Sequence, residues 1–274
     1  MPELPEVETT RRGITPHVAG RRVTDFLLYE RRLRWPVAES LAQVLRDARI
    51  GEVRRRAKYL LLDLDGVAVR GSSLLLHLGM SGNLRVLPAD TPRLKHDHFD
   101  LRLDSGQTLR FNDPRRFGSL HLIQGDTHPL LAHLGPEPLD RAFDEEYLWR
   151  ASRLRRVAIK PFLMNSRVVV GVGNIYASES LFRAGVRPGR QARHLTRAEV
   201  ARIVAAVKEV LSMAIEVGGT TLRDYVGADG NPGYFRQQLF VYERAGEACR
   251  NCHGLIRQRV QAQRSTYWCN TCQH

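Results

Sequence analysis

The chain has 274 residues, 43% hydrophobic and 26% charged, which supplies apolar material for one large or two smaller cores and excludes a disordered composition. Lys plus Arg number 42 against 29 Asp plus Glu, a formal net charge of +13, so the expected partner is a polyanion. No apolar run reaches the ~18 residues of a membrane span, and MPELPEVETTRR, with two prolines and three acids before its first arginine, is the reverse of a signal peptide. A cytoplasmic, nucleic-acid-binding protein is therefore expected. The surplus is almost all arginine, since lysine occurs only at Lys58, Lys95, Lys160 and Lys208. A GC-rich coding bias accounts for that as readily as a partner does, and it makes each remaining lysine informative.

In chain order, a helical period runs from Val7 to about Val18, with Pro5 suited to the first helical position and Glu6 and Glu8 to the first turn. From about residue 23 to 125 the pattern is short and strand-like. Tyr59 to Asp65 and Ser73 to Leu87 fit it. Phe99, Leu101 and Leu103 alternate with Asp100, Arg102 and Asp104, and Leu109 and Phe111 resume the alternation after a turn. The simplest packing is a β-sandwich of roughly 130 residues. The cluster Leu134-Gly-Pro-Glu-Pro-Leu139 marks a linker.

Beyond it the pattern is helical. Thr196 and Glu199 form a capping box ahead of Val200, Ile203, Val204, Val207, Val210, Leu211 and Ala214, which share one face. Gly218-Gly219 ends that helix, and 226–233 reads as a mobile loop. Every cysteine falls in the basic tail. The expected division is 1–133, a linker over 134–142, a helical domain over 143–233 and a finger over 234–274, an α+β multidomain chain.

Cys249-x-x-Cys252 and Cys269-x-x-Cys272 are two thiolate pairs, each on a tight turn, separated by 16 residues. Two such turns close a tetrahedral Zn²⁺ site, and with no open position the metal is structural. Arg257, Arg259 and Arg264 lie between the pairs with Tyr267 and Trp268. That composition suits a hairpin presenting arginines to phosphates, and equally a solvated basic face.

Gly171-Val-Gly173-Asn174-Ile-Tyr-Ala177 matches the dinucleotide fingerprint but lacks alternating βαβ units and the acid about 20 residues on. A glycine turn feeding a helix capped by Asn174, running from Tyr176 to Phe182, is the alternative. Its free N–H groups suit a phosphate of DNA.

Removal of Met1 would leave Pro2 as a terminal secondary amine, far more of it free base at neutral pH than a lysine is. Such an amine attacks a sugar C1′ and forms an imine, with Glu3 beside it as a proton source. Taken alone, prolines near a terminus usually just start a helix.

Several stretches, in order from residue 2 to 272, resemble the bacterial formamidopyrimidine-DNA glycosylases. They are MPELPEVET, Ala57-Lys58-Tyr59-Leu60, His77-Leu-Gly-Met80-Ser-Gly82, Asp113-Pro-Arg115-Arg116-Phe117-Gly118, Gly171-Val-Gly-Asn174-Ile-Tyr-Ala-Ser-Glu179, Gly218-Gly-Thr-Thr221-Leu-Arg-Asp and the four-cysteine finger. The resemblance implies a β-sandwich with flanking helices, a helix-two-turn-helix domain and a zinc-finger hairpin. It implies a bifunctional glycosylase and abasic-site lyase of base excision repair, which removes 8-oxoguanine and formamidopyrimidines. It further implies Pro2 as nucleophile, Glu3 as assistant to sugar ring opening, Glu6 as support and Lys58, on the A-K-Y-L strand, as a phosphate contact that aids the chemistry. Met80, Arg115 and Phe117 match the residues that fill the void of an extruded base, a step that reaching a stacked base requires.

Asn174, Lys160 and Arg264 match DNA-contacting positions, and 218–233 matches a loop closing over the everted purine. Lys95, His96 and His98 lie in a K-H-D-H stretch also seen in the family, where surface or phosphate contact is expected rather than metal. The resemblance also implies a monomer with no nucleotide cofactor, acting on damaged double-stranded DNA at the bacterial nucleoid. Gln261 and Asn231 depart from some relatives without touching this chemistry.

The nearest competing reading is an endonuclease VIII-like glycosylase for oxidised pyrimidines. Leu4, the H-L-G-M-S-G motif and the long glycine loop stand against it. A DNA-binding module without catalysis would show a changed Pro2, Glu3 or Lys58. A ribosome-associated zinc-ribbon protein would not require Pro2 or the Arg115–Phe117 pair.

Overall fold

Glu3 and Glu6 close a reciprocal capping box, so helix α1 (Leu4–Val18) begins a turn earlier than its apolar period predicts. Pro5 takes its second position, and Glu8 lies beyond its first turn. The protein is seen here as a computed structural model that describes residues 2–219 and 238–274. The expected 226–233 loop, with Asn231, and most of the 218–233 stretch lie outside the described residues. These fall into two compact units, 2–132 with 217–219, and 133–216 with 238–274.

The first unit continues through β1 (Val23–Leu28), α2 (Leu41–Val44), β2 (Arg49–Arg56), β3 (Tyr59–Asp65), β4 (Ser72–His77), β5 (Asn83–Pro88), β6 (Asp97–Leu103), β7 (Gln107–Asn112) and β8 (Ser119–Gln124). Two four-stranded antiparallel sheets, β1-β6-β7-β5 and β2-β3-β4-β8, form the expected sandwich. Leu60, Leu62, Leu74 and Leu76 of one sheet pack with Leu84, Phe99, Leu101, Leu109 and Phe111 of the other, and Val7, Ile14 and Val18 of α1 join the same core. Each such side chain contributes about 1.5–3 kcal/mol by burial.

Two strand expectations need correction. Ser73 to Leu87 is not continuous, because the chain turns at 78–82 with Gly79 at φ +70°. Nor is Asp100, which alternates with the apolar residues of β6, open to water. Asp100 is 0% exposed and takes two hydrogen bonds of 2.7 Å from Arg110, itself 2% exposed. Tyr29 Oη–H adds a third at 2.9 Å, while Arg110 Nη2 also donates to the Thr91 carbonyl and Nη1 to the Pro92 carbonyl, so every nitrogen of the buried guanidinium is bonded.

The second unit holds α3 (Glu145–Ser152), α4 (Ile159–Leu163), α5 (Asn174–Arg183), α6 (Arg197–Glu216), β9 (Ile256–Gln261) and β10 (Arg264–Cys269). The Thr196–Glu199 box caps α6 through bonds of 2.7 and 3.2 Å, and the predicted apolar face is the buried one. Gly218 and Gly219, at φ +80° and +81°, follow its end. Every sheet pairing among the described residues is antiparallel, so the glycine motif at 171 is no dinucleotide fold. No helix among them is long and apolar enough to cross a membrane.

Candidate active site

The capping box that starts α1 also assembles its acidic cluster. Pro2, Glu3 and Glu6 are all buried, and the Glu3 N–H donates to Glu6 Oε2 at 2.8 Å. Gly219 packs so closely on the Glu6 carboxylate that a Cβ there would lie 3.1 Å from Oε1. Lys58 is not on a strand as expected. Arg56 pairs with Tyr59, so Ala57 and Lys58 make a two-residue turn between β2 and β3, with Ala57 held at φ +57°. His77 of β4 lies across from Tyr59, ring centroids 4.8 Å apart, and its Nδ1 accepts the Gly79 N–H at 2.9 Å. Burial, with help from the charges of Lys58 and Arg34, pushes this imidazole down to about 4 and keeps it neutral.

The two loops that carry Met80, Arg115 and Phe117 are tied to one another. Asp113, fully buried, accepts from Ser81 Oγ at 2.6 Å, from the Arg115 N–H at 3.3 Å and from the Gly118 N–H at 2.8 Å. A Cβ on Gly79 would meet the Gly118 nitrogen at 2.4 Å, and one on Gly82 or Gly118 would strike the Phe111 ring at 2.8 or 2.6 Å. These glycines let the 78–82 turn and the 113–118 loop touch backbone to backbone. Out of that base rise Arg115 and Phe117, guanidinium over ring at 5.3 Å, both exposed, with Met80 half-buried. Phe117 keeps 43% of its surface in water, unlike a core phenylalanine.

His96 is half-buried at φ +72°, its carbonyl accepting the Asp113 N–H, and exposed Lys95 precedes it. His98 corrects the surface reading of that stretch. It is 1% exposed, with its ring nitrogens 3.2 and 2.9 Å from the Glu30 and Asp113 carbonyl oxygens.

In the second unit, α5 starts one residue earlier than expected, with Gly173 as N-cap and Asn174 inside the helix. The Asn174 side chain is occupied otherwise than in capping. Its Oδ1 accepts from Lys160 Nζ at 2.6 Å, and the same ammonium donates to the Ser265 carbonyl at 2.8 Å and to Thr266 Oγ1 at 2.9 Å. Lys160 is thus 1% exposed and holds the α5 start to β10, which corrects the expectation of an open DNA contact. Arg264 is exposed beside the β9–β10 turn, where Ala262 and Gln263 both have positive φ.

The four cysteine sulfurs lie within 4.8 Å of one another, with Cys249–Cys272 at 3.8 Å and Cys252–Cys269 at 3.4 Å. A tetrahedron with Zn–S of about 2.3 Å has S···S edges of about 3.8 Å, so the set fits one zinc ion. A hydrogen bond from the Gly254 backbone lowers the Cys252 thiol to about 7, whereas burial raises Cys269 and Cys272. Zinc replaces the protons that such crowded thiols would otherwise carry.

Glu179 was visible in the sequence only as the end of a motif. It is 3% exposed and accepts the N–H groups of Phe240, Val241 and Tyr242 at 2.8, 3.0 and 2.8 Å, anchoring the segment that leads into the finger. Burial raises its pKa against those three bonds. The Tyr242 hydroxyl in turn sits 3.5 Å from Asn174 Nδ2. No spacing rule marks a glutamate for three amides sixty residues away.

Comparison with known proteins places this geometry. The formamidopyrimidine-DNA glycosylase N-terminal domain matches residues 1–120, its H2TH domain 134–226, and the zinc finger found in FPG and IleRS 246–274. The formamidopyrimidine-DNA glycosylases of Thioalkalivibrio sulfidiphilus and Xanthomonas campestris are 60% and 57% identical, each over 100% of both chains. The crystal structure of the Thermus thermophilus Fpg protein covers 99% of this chain and 98% of its own at 42% identity, with a TM-score of 0.88. Lactococcus lactis Fpg in complex with an abasic site containing DNA covers 99% of both at 33% identity and 0.91. With three family domains in order and full-length relatives above half identity, this chain belongs to the formamidopyrimidine-DNA glycosylase family.

Proposed function

We propose that this chain excises oxidised purines, 8-oxoguanine and formamidopyrimidines, from duplex DNA and then cuts the strand at the resulting abasic site. The observation that carries the reading is the buried start of α1, where Pro2 leads into the N-cap Glu3 and the Glu3 N–H is bonded to Glu6. Once Met1 is removed, the Pro2 lone pair attacks C1′. The glycosidic bond breaks, its electron pair leaving with the base, which takes up the proton that the Pro2 nitrogen gives up. Glu3 gives a proton to O4′ as the sugar ring opens, leaving an iminium between Pro2 and C1′. Loss of a C2′ proton then expels the 3′ phosphate, and a second elimination expels the 5′ phosphate. Glu6 fixes the Glu3 backbone during these steps, and Lys58 supplies positive charge to the phosphate.

Met80, Arg115 and Phe117 fill the gap left by the extruded nucleotide, with the guanidinium reading the orphaned cytosine. His96, Asn174 and Arg264 contact the backbone, and Lys160 acts by positioning Asn174. The division into a catalytic domain over 1–133, a linker over 134–142, a helical domain over 143–233 and a finger over 234–274 belongs to the same reading. So do the monomeric state, the lack of a nucleotide cofactor and a cytoplasmic, nucleoid-associated location. A Lactococcus lactis relative in complex with Fapy-dG containing DNA supports the choice of lesion.

Borohydride trapping on a duplex with one 8-oxoguanine opposite cytosine tests it. A covalent protein–DNA adduct, absent with undamaged duplex and with the Pro2→Gly variant, is expected. An adduct formed only with an oxidised pyrimidine would transfer the chain to the endonuclease VIII-like specificity. Full strand cutting by Pro2→Gly would remove the nucleophile assignment.

A further inference from the structure

We infer that Glu8 is a positioning residue for Lys58, acting through Arg55 and the carbonyl of Ala57. The Glu8 carboxylate on α1 accepts Arg55 Nε–H on Oε2 at 3.1 Å, and Arg55 Nη1 donates onward to the Ala57 carbonyl at 2.9 Å. Its Oε1 accepts from Arg11 Nη2 at 2.8 Å, and Arg11 Nη1 reaches the Val53 carbonyl at 3.2 Å. One carboxylate thereby grips β2 at two points, Val53 within the strand and Ala57 in the turn that follows it. The Glu8 and Arg55 side chains are only 11% and 12% exposed, so solvent competes little with the chain of bonds.

The Ala57 carbonyl is half of the peptide plane that leads into Lys58. Fixing that plane fixes where the Lys58 Cα stands, and so the point from which its side chain starts. The turn needs such a hold. Ala57 sits at φ +57°, a region L residues occupy only under constraint, and the sequence puts no glycine there. The same carboxylate belongs to the helix that Glu3 caps and Pro2 directly precedes, so the link ties the Lys58 turn to the element on which the nucleophile is mounted. Glu8 touches no reacting atom in this scheme. It sets where a neighbour's charge stands, and small displacements of a catalytic group are costly in rate.

The inference rests on the reading of Lys58 as a group that aids the chemistry. Its test is steady-state cutting of the 8-oxoguanine duplex by full-length, zinc-loaded protein, with rates expressed per folded molecule. Glu8→Gln and Arg55→Lys are expected to lower kcat by about 10- to 100-fold with KM within about threefold, since position rather than binding is lost. In a Lys58→Ala background each should cost less than about twofold more, because its target is gone. Arg55→Lys, which keeps the positive charge paired with Glu8, should retain more activity than Arg55→Gln. Arg12→Ala is the charge control, because Arg12 holds the same carboxylate at 3.0 Å from an exposed position. It should stay within about twofold of the wild-type rate.

Losses of equal size with and without Lys58 would overturn the inference and leave the Lys58 reading standing. So would a drop in folded fraction at unchanged kcat. Wild-type cutting by Lys58→Ala would end the Lys58 reading, and this inference with it. Should Arg55→Lys fail to fold, the isosteric Glu8→Gln carries the same comparison.

Discussion

At the scale of single residues, the base of the Arg115–Phe117 loop is built from hydrogen atoms where other side chains would have carbon. Gly82 lies in the left-handed region no more than its neighbours Ser81 and Asn83 do, so its requirement is one of space. A Cβ there would sit 2.2 Å from the Leu78 carbonyl oxygen and 2.8 Å from the Phe111 ring. Backbone and a buried aromatic are poor at yielding, so Gly82→Ala is expected to destabilise the first unit by about 2 kcal/mol or more. Urea unfolding followed by far-UV circular dichroism measures this. A variant as stable as the wild type would mean that the two loops have slack that the geometry denies them.

At the scale of elements, the pairing of β3 with β4 sets His77 against Tyr59, beside the turn that carries Lys58. Burial, then the charges of Lys58 and Arg34, hold its pKa at about 4 against an ordinary value of 6.5. Between those two values the unfolded chain takes up a proton that the folded one refuses. Stability therefore falls as the pH drops from about 6.5 towards 4, by on the order of 2 kcal/mol from this group. Chemical denaturation at half-unit pH steps should show the slope, and His77→Asn should flatten it across that window. An unchanged slope in the variant would assign the pH dependence to other groups.

Elements were also where the sequence was most legible. Tyr59 to Asp65 is β3 to the residue, and the apolar face and cap of α6 are those its spacing predicts. Legibility failed where a distant partner overrides local pattern. Asp100 and Arg110 alternate like a wet face, yet they neutralise each other in a buried pair, and no local rule encodes that. Lys58 is assigned to a strand through the A-K-Y-L resemblance, whereas Ala57 turns the chain there without a glycine to mark it. Of the site residues, the cysteines were readable from spacing alone. Among the candidates, Pro2 is raised by the chemistry of its amine and strengthened by family motifs, Met80, Arg115 and Phe117 are named through those motifs alone, and Lys160 is named without its burial.

At the scale of the whole molecule, the chain depends on two different kinds of cohesion. The first unit has a large apolar core of leucine, valine and phenylalanine. The finger's cluster is far smaller, with Cys249, Ile256, Tyr267 and Cys269 beside Phe182 and Val241, so metal bonding substitutes for area. Cys249→Ser, or a strong chelator, is expected to release zinc and reduce duplex affinity together, while the β-sheet signal of the first unit persists. Zinc counted with a colorimetric chelator and binding by fluorescence anisotropy make the comparison. Normal DNA affinity in a zinc-free variant would show the finger to be dispensable for binding.

The Asp113–Ser81 bond and the glycine contacts around Phe111 have a thermodynamic consequence for the exposed pair above them. A loop that orders only on meeting its target loses conformational freedom at that moment, and the affinity is lowered by as much. Here the ordering belongs to folding. Arg115 and Phe117 arrive at any partner on backbone that is already fixed, so their association should carry little of the entropy penalty or heat-capacity change that marks coupled folding, and its rate should be governed by encounter rather than by rearrangement.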